Sequence, residues 1–292
     1  MPAEEMPLTL RRRIASLEAL HAKFETLEEE HHERLRQIEQ SFTEQTEALF
    51  ERRQRIVSGL EEPTDAEVQE SVYYEELASG ADEANGADDE PKIVGVPSFW
   101  PTVLRHCPSL QDGAIDGFAF SDADREILEH LVEVRSEPWN FEDDEMPDDF
   151  EELLSEPGYS LVFRFAPNPM MESESIALYC LGTGEVVQAN PPLWSDRRHD
   201  PTLTWVSKKV KKKGAGSSVK RVSARPAESF FRIFSPADED AAAAEERAAL
   251  LPLTELQEEI VLRLREDAIP RASMYYISAL LGDDFGEEDF DE

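Results

Sequence analysis

The sequence has very little cysteine. Cys107 and Cys180 are the two cysteines among 292 residues, and they lie far apart and outside any Cys-x-x-Cys pattern. Two isolated cysteines exclude a disulfide scaffold and a four-cysteine zinc site, and they are typical of a reducing compartment. We expect both to be buried residues that fill space.

Long apolar runs and the motifs of common enzymes are also missing. No apolar run comes near the roughly 18 residues of a membrane-spanning helix, so we expect no membrane contact. Gly182 and Gly184 lack the third glycine and following helix of a dinucleotide site, and neither a Walker loop nor a nucleophile elbow occurs. The six histidines are scattered, and the adjacent pair His31 and His32 would face different sides of a helix. We therefore predict no enzyme activity, metal, cofactor or small-molecule substrate.

Glycine and proline are absent from residues 8–58, a stretch of 51 residues. Apolar side chains recur there with a mean spacing of about 3.55 residues, between the heptad and free-helix periods. The pattern predicts one continuous helix, a rod of about 75 Å.

Such a rod is too long for a domain of this size to cover, so the pattern predicts that it pairs with a second copy. The acids and bases of residues 8–60 nearly balance, 10 against 9, and a paired seam would not repel itself strongly. Polar His31 and Gln45 interrupt the apolar stripe and would fix its register. The alternatives are a helical hairpin, which the absence of a breaker disfavours, and a helix lying on its own domain. The predicted dimerisation residues are Leu17, Leu20, Phe24, Leu27, Leu35, Ile38, Phe42 and Leu49.

Basic residues are scarce: 29 Lys and Arg stand against 64 Asp and Glu, a formal net charge of −35. Most of the excess lies in three segments, 61–94, 136–156 and 282–292. A polyanion of this kind repels nucleic acid and anionic lipid and attracts basic proteins. The alternative is that the acidic segments only keep the protein soluble.

Helical and strand patterns follow one another after residue 94. Phe99, Trp100, Val103 and Leu104 share one helical face, and a second helix fits residues 121–134, with Ser121 and Asp124 as its capping pair. Apolar residues then alternate at every second position in residues 159–165, which predicts a strand. Further strands are expected at 176–181, 202–210 and 219–223, and a last helix carries Leu256, Ile260 and Leu264. The predicted fold class is α+β, with a long helix, a roughly four-stranded antiparallel sheet and helices packed on one side.

One basic island interrupts the acidic sequence. Residues 205–225 contain eight Lys or Arg and no acid, on a predicted hairpin around Gly214-Ala-Gly216. The run Lys208, Lys209, Lys211, Lys212 and Lys213 has three interpretations: a nuclear import signal, a contact with an acidic surface of another dimer, or a DNA contact. The overall charge makes the DNA contact the weakest of the three.

Six short motifs, in order along the chain, resemble those of the nucleosome assembly protein family of histone chaperones. They are Ala48-Leu-Phe-Glu-Arg-Arg-Gln-Arg-Ile-Val57, Gly95-Val-Pro-Ser-Phe-Trp100, Leu161-Val-Phe-Arg-Phe-Ala-Pro-Asn168, the basic run of residues 208–213, Ser229-Phe-Phe-Arg-Ile-Phe-Ser-Pro236, and Ile269-Pro-Arg-Ala272. The segment between the rod and the second motif favours the nucleosome assembly branch over the related SET branch.

The resemblance implies a homodimer joined by its long helices, able to form higher oligomers, with an acidic surface that binds core histones for nucleosome assembly. It also implies that the protein is located in the nucleus and cytoplasm, with shuttling and histone import as possible roles. For the basic run, the resemblance supports both the import and the oligomerisation interpretation. Rival functions are a coiled-coil scaffold for another basic partner and a SET-like inhibitor of a phosphatase or acetyltransferase. The expected histone contacts are Glu142, Asp143, Asp144, Glu145, Asp148, Asp149, Asp283, Asp284, Glu287, Glu288 and Asp289.

The patterns divide the chain into four parts. We expect a dimerisation helix over residues 1–60 and an acidic accessory segment and linker over 61–94. A histone-binding α+β domain would span 95–277 with its basic hairpin at 202–225, and an acidic tail would span 278–292.

Overall fold

The computed structural model begins with one uninterrupted helix. α1 spans Leu8–Val57, 50 residues, which confirms the predicted rod. The structure describes residues 6–77, 93–111, 113–115, 118–139, 158–211, 218–235 and 253–282. By its internal contacts the chain divides into two units, residues 1–56 and 57–292. We refer to the second unit as the lobe.

The described helices of the lobe are short. They are α2 (Asp65–Gln69), α3 (Tyr74–Leu77), α4 (Phe99–His106), α5 (Asp122–Leu128), α6 (Leu253–Arg263) and α7 (Ala272–Leu281). Short 3₁₀ turns cover Pro108–Leu110, Arg197–His199 and Phe230–Phe234, and a π-helical turn, Leu264–Ala268, directly follows α6.

Four antiparallel strands form the sheet of the lobe, in the order β1-β2-β3-β4. They are β1 (Leu131–Trp139), β2 (Gly158–Phe165), β3 (Ser175–Cys180) and β4 (Val186–Asn190). Two further strands, β5 (Leu203–Lys211) and β6 (Ser218–Pro226), form a separate hairpin and, within the part of the chain that the structure describes, pair only with each other. The predicted fold class, a long helix followed by an α+β lobe with a four-stranded sheet and a hairpin, is confirmed.

The core lies on one face of the sheet. Leu161 and Phe163 of β2 are fully buried, and the ring of Phe163 lies 5.8 Å from Phe230 and 5.4 Å from Phe234. The expected interior residues of α4, of the 3₁₀ turn Phe230–Phe234, and of α6 with the π-helical turn after it are all buried, as are both cysteines. Period-two alternation thus identified the buried face of β2 correctly.

The predicted helix over residues 121–134 is wrong in its second half. α5 does begin after a capping box in which Ser121 and Asp124 bond to each other's backbone, but it ends at Leu128, and Leu131 already belongs to β1. A bulge between Leu131 and Glu133 places Leu131 and Val134 on the same buried face. Their spacing of three residues therefore imitates a helical stripe although the segment is a strand.

The composition of the sheet also differs from the prediction. Of the four predicted strands, those near 159–165 and 176–181 are β2 and β3, whereas the other two form the separate hairpin β5–β6. The sheet is completed by β1 and β4, which the pattern did not predict. Pro138 obscures β1 in the sequence, and it is tolerated because β1 is an edge strand.

Candidate functional site

A stripe of large apolar side chains runs along α1 and faces solvent in the single chain. All eight predicted dimerisation residues are exposed, from 41% for Leu35 to 68% for Phe42. We refer to these eight residues as the apolar stripe. Exposed apolar surface of this extent is unusual for a monomeric protein and marks an interaction surface.

The rest of α1 carries polar pairs of the kind that stabilise an exposed helix. Glu30 and Arg34 form an ion pair of 3.6 Å, and Gln37 donates a hydrogen bond of 2.8 Å to Glu33. Such pairs contribute only about 0.2–0.5 kcal/mol each. They support the helix locally and leave the apolar stripe uncovered.

The predicted acidic histone contacts all lie outside the described residues, but the points where their segments leave the lobe are described. Residues 140–157 connect Trp139 at the end of β1 to Gly158 at the start of β2, and these two residues are paired. Residues 283–292 follow Gly282, which caps α7 with a φ of 69°. The contacts concerned are Glu142, Asp143, Asp144, Glu145, Asp148, Asp149, Asp283, Asp284, Glu287, Glu288 and Asp289.

The face of the sheet opposite the core, which we call the open face, carries an aromatic pair. The rings of Trp139 on β1 and Tyr179 on β3 lie 4.9 Å apart at an interplanar angle of 54°. Between them β2 presents Gly158 and Ser160, whose small size lets the two larger rings meet across the strand. Sequence reasoning missed this pair because it assigned residues 131–134 to a helix and predicted no strand at residues 135–139.

The open face also carries ion pairs along β1. Glu133 lies 3.4 Å from the guanidinium of Arg164, and Arg135 pairs with Glu137. These side chains all face away from the core, as the register of β1 with β2 requires. The charged rows lie next to the aromatic pair, so this face combines ion pairs with two half-buried rings.

A buried carboxylate joins α5 to the aromatic 3₁₀ turn. Asp124 is fully buried and accepts hydrogen bonds from the backbone N–H of Ser121, the hydroxyl of Ser229 at 2.5 Å and the N–H of Phe230 at 3.1 Å. Burial raises the pKa of this carboxyl, and the hydrogen bonds counter that rise in part. Asp124 is a positioning group of the core.

A second carboxylate, Asp267, ties the π-helical turn to α7 and to the turn after α4. It accepts hydrogen bonds of 2.5 Å from both Ser109 and Tyr275, and Arg271 lies 2.9 Å away. Burial acts to raise the pKa of Asp267, but the hydrogen bonds from Ser109, Tyr275 and Cys107 and the charge of Arg271 together hold it below its usual value. Asp267 is therefore a charged anchor of the lobe.

The basic hairpin has an additional cation at its base. The guanidinium of Arg197 lies 5.9 Å from the ring centre of Trp205 on β5. Of the predicted import or oligomerisation residues, Lys208, Lys209 and Lys211 lie on β5, and Lys212 and Lys213 lie outside the described residues. Arg197 was missed because it precedes the hairpin in the sequence.

The described residues give little support to a reactive thiol, a metal site or a membrane-spanning helix. Burial raises the pKa of Cys107 to about 11 and that of Cys180 to about 12, so both thiols are poor nucleophiles at neutral pH. Within the described ranges, no cluster of three or more His, Cys, Asp or Glu has a geometry that could hold a metal ion. None of the described helices is both long and apolar enough to cross a bilayer.

Comparison with known proteins identifies the family. A family model described as nucleosome assembly protein (NAP) matches residues 12–279. The chain belongs to the nucleosome assembly protein family. This confirms the resemblance that the six sequence motifs indicated.

Curated relatives of the family align with nearly the whole chain. Nucleosome assembly protein 1-like 1-A of Xenopus laevis is 25% identical over 310 residues, which cover 99% of this chain and 73% of that protein. Nucleosome assembly protein 1-like 4 of Homo sapiens is 26% identical over 315 residues, covering 99% and 79%. The similarity therefore includes both α1 and the lobe.

Solved structures of the family share the fold. Nucleosome assembly protein 1 from Plasmodium knowlesi matches with a TM-score of 0.55 at 18% identity, covering 94% of this chain and 98% of that one. A nucleosome assembly protein from Plasmodium falciparum matches with a TM-score of 0.53 at 16% identity, covering 94% and 100%. At these identities the match concerns the fold alone.

Proposed function

We propose that this protein is a histone chaperone that acts in nucleosome assembly, binding core histones and delivering them to DNA without catalysing a reaction. The observation that carries the proposal is the family match over residues 12–279. The net charge of −35 supports it, because core histones are strongly basic. The relatives' names as nucleosome assembly proteins point in the same direction.

The mechanism we propose is reversible masking of histone charge. Each exposed contact between a carboxylate and a Lys or Arg contributes only about 0–1 kcal/mol, so many contacts are needed to hold a histone. Duplex DNA carries about one charge per 1.7 Å and competes strongly for the same cations. The chaperone would therefore suppress non-productive histone–DNA contacts and still release histones to DNA.

We assign the histone contacts to two acidic segments. The first is the connection between β1 and β2, with Glu142, Asp143, Asp144, Glu145, Asp148 and Asp149. The second follows α7, with Asp283, Asp284, Glu287, Glu288 and Asp289. The first assignment is supported by the way that segment is attached to the lobe. The residues at its two ends, Trp139 of β1 and Gly158 of β2, are paired with each other in the sheet.

We further propose that the protein is a homodimer joined by α1. The exposed stripe, including Leu17, Phe24 and Phe42, is the supporting observation. Burying such a side chain contributes about 1.5–3 kcal/mol as an upper bound, so two facing stripes would associate firmly. The domain limits that follow are a dimerisation helix over 1–60, a linker over 61–94, a histone-binding domain over 95–277 and a tail over 278–292.

A plasmid supercoiling assay tests the chaperone function. Relaxed plasmid, topoisomerase and purified core histones are mixed at moderate salt, with and without the protein. We expect the protein to prevent precipitation and to promote supercoiling. A scaffold for another basic partner would do neither, and supercoiling equal to that of histones alone would contradict the proposal.

Neutralising the acidic segments tests the charge mechanism. Replacing the six acidic contacts of the first segment by Asn or Gln and deleting residues 283–292 should abolish histone retention in a pull-down well below about 1 M salt. The matched control replaces six exposed acids of α1 and leaves both segments intact. Retention by the neutralised variant at about 1 M salt would contradict masking by charge.

We propose that the basic hairpin acts outside histone binding, either as a nuclear import signal or as a contact between dimers. Replacing the five lysines of residues 208–213 by Gln separates the two roles. Loss of nuclear accumulation with unchanged mass in solution indicates import. Loss of higher oligomers with unchanged location in the nucleus and cytoplasm indicates a contact between dimers.

A further inference from the structure

We propose that Ser223 on β6 is a phosphorylation site for serine kinases that recognise basic residues ahead of their target. The inference rests on the role proposed for the basic hairpin, either import or contact between dimers, and adds a means of regulating it. A phosphate on Ser223 lowers the positive charge of the hairpin and weakens its hold on an acidic partner surface.

The sequence around Ser223 has the charge pattern that such kinases read. Lys220 and Arg221 stand three and two residues before it, and it is the one Ser or Thr in the 292-residue sequence with a base at both positions. Kinases select substrates by charge patterns of this kind. The chain has a net charge of −35, whereas residues 205–225 contain eight bases and no acid, so an acidic kinase cleft is attracted to this segment.

The hairpin makes Ser223 accessible to a kinase. Ser223 is exposed, and within the part of the chain that the structure describes β6 pairs only with β5, which leaves its outer edge open. The register places Lys208 opposite Arg221 and Lys209 opposite Lys220. Like charges directly opposite each other are destabilising, and a two-stranded hairpin is marginally stable by itself. The extended segment around Ser223 can therefore open locally at little cost.

The bases around Ser223 determine what a phosphate does there. Side chains two residues apart on a strand share a face, so Arg221 and Arg225 lie on the face of Ser223. The register adds Lys208 to that face and no acid. A phosphoserine carries about −1.5 to −2 charges at pH 7 and offsets much of the charge of these three bases.

The reaction is an ordinary phosphoryl transfer from ATP. Ser223 Oγ attacks the γ-phosphorus, and the new Oγ–P bond replaces the bond from that phosphorus to the bridging oxygen, which leaves with ADP. The hydroxyl proton passes to the catalytic aspartate of the kinase. The hairpin supplies the hydroxyl and the basic recognition residues, and the kinase supplies the catalytic groups.

Phosphorylation of the full-length protein in vitro tests the site. The protein is incubated with ATP and the catalytic subunit of cAMP-dependent protein kinase, and mass spectrometry locates the phosphate. We expect phosphate on Ser223 and loss of nearly all incorporation in Ser223→Ala. Ser207→Ala, at an exposed serine of β5 with no base in the three residues before it, is the matched control and should incorporate phosphate like wild type. Absence of phosphate from Ser223, while a basic reference peptide is phosphorylated in the same reaction, overturns the inference.

A second pair of variants tests recognition by the bases before Ser223. Lys220→Gln with Arg221→Gln keeps the hydroxyl and should lower kcat/KM for phosphorylation at least about 10-fold, because charged contacts with the kinase are lost. Lys208→Gln with Lys209→Gln removes the same charge from β5 and should lower it less than about 3-fold. Equal losses in the two variants would mean that no specific pattern is read, which overturns the inference.

The consequence for the hairpin is measured by sedimentation velocity of the phosphorylated protein and by the nuclear accumulation of Ser223→Glu. We expect a change in the same property, and in the same direction, as in the variant with five lysines of residues 208–213 replaced by Gln. No change, although the five-lysine variant differs from wild type, overturns the inference and leaves the proposed function standing. If the five-lysine variant also behaves like wild type, the role proposed for the hairpin is wrong, and phosphate transfer to Ser223 decides the inference by itself.

Discussion

The two units of the chain differ in how far their large apolar side chains are buried. In the lobe, Leu161 and Phe163 are fully buried, whereas Leu17 and Ile38 on α1 are 65% and 66% exposed. The lobe therefore closes its core within one chain, and α1 can cover its apolar stripe only against something else. The stability of the lobe should be independent of protein concentration, and that of α1 should depend on it.

Charges placed in the apolar stripe should have the largest effect. Phe24→Glu with Ile38→Glu removes four large apolar side chains from the seam of the proposed dimer and puts carboxylates in their place. We expect the dissociation constant of the dimer to rise more than about 1000-fold, because each buried side chain contributes about 1.5–3 kcal/mol and about 1.4 kcal/mol is a factor of ten. Sedimentation equilibrium measures the change.

The matched control places the same charges on the opposite side of α1. Thr26→Glu and Gln40→Glu each lie two residues, or about 200°, from the positions changed above. This variant should associate like wild type. Equal loss of association in both variants would mean that charge, and not the apolar stripe, governs pairing.

A cavity in the lobe core should have the next largest effect, and it should spare α1. Phe234 is fully buried, and its ring lies 5.4 Å from Phe163 and 6.1 Å from Phe230. Phe234→Ala should lower the free energy of unfolding of the lobe by about 3–5 kcal/mol, with the mass in solution unchanged. Urea unfolding followed by tryptophan fluorescence measures it. Leu193→Ala, at a residue that is 60% exposed, is the control and should change stability by less than about 0.5 kcal/mol.

Removing the charge of Asp267 should have a smaller effect that depends on pH. Asp267→Asn weakens the hydrogen bonds from Ser109 and Tyr275 and the ion pair with Arg271. We expect a loss of about 1–3 kcal/mol at pH 7. The folded-state pKa of Asp267 is lowered, so its stabilisation is complete above the ordinary carboxyl pKa and is lost as pH falls through the lowered value.

The difference in stability between wild type and Asp267→Asn should therefore stay constant from pH 7 down to about pH 4 and shrink as the pH falls further. Urea unfolding at several pH values measures that difference, and Glu174→Gln at an exposed position serves as control. A difference that grows as the pH falls would show that the charge of Asp267 does not stabilise the lobe.

Strictly local patterns were predictable from the sequence. The absence of glycine and proline indicated α1, because nothing in residues 8–58 interrupts a helix. Alternation in residues 159–165 indicated β2, and the spacing of Ser121 and Asp124 indicated the start of α5. In each case the signal and the structure involve the same few residues.

Features that depend on pairing at a distance were missed. The first four residues of β1 were assigned to a helix because its bulge spaces Leu131 and Val134 three residues apart, and β4 is a short edge strand without clear alternation. The aromatic pair exists only through the register of β1, β2 and β3. The six motifs identified the family but carried no information about which side chains meet on the open face.

We propose that a second copy of the chain covers the apolar stripe of α1. Sedimentation equilibrium of the full-length protein at micromolar concentration and moderate salt tests it most directly. Pairing through α1 gives twice the chain mass of 33.1 kDa, and we expect wild type to remain paired on dilution into the nanomolar range. A mass of 33.1 kDa at micromolar concentration would contradict it.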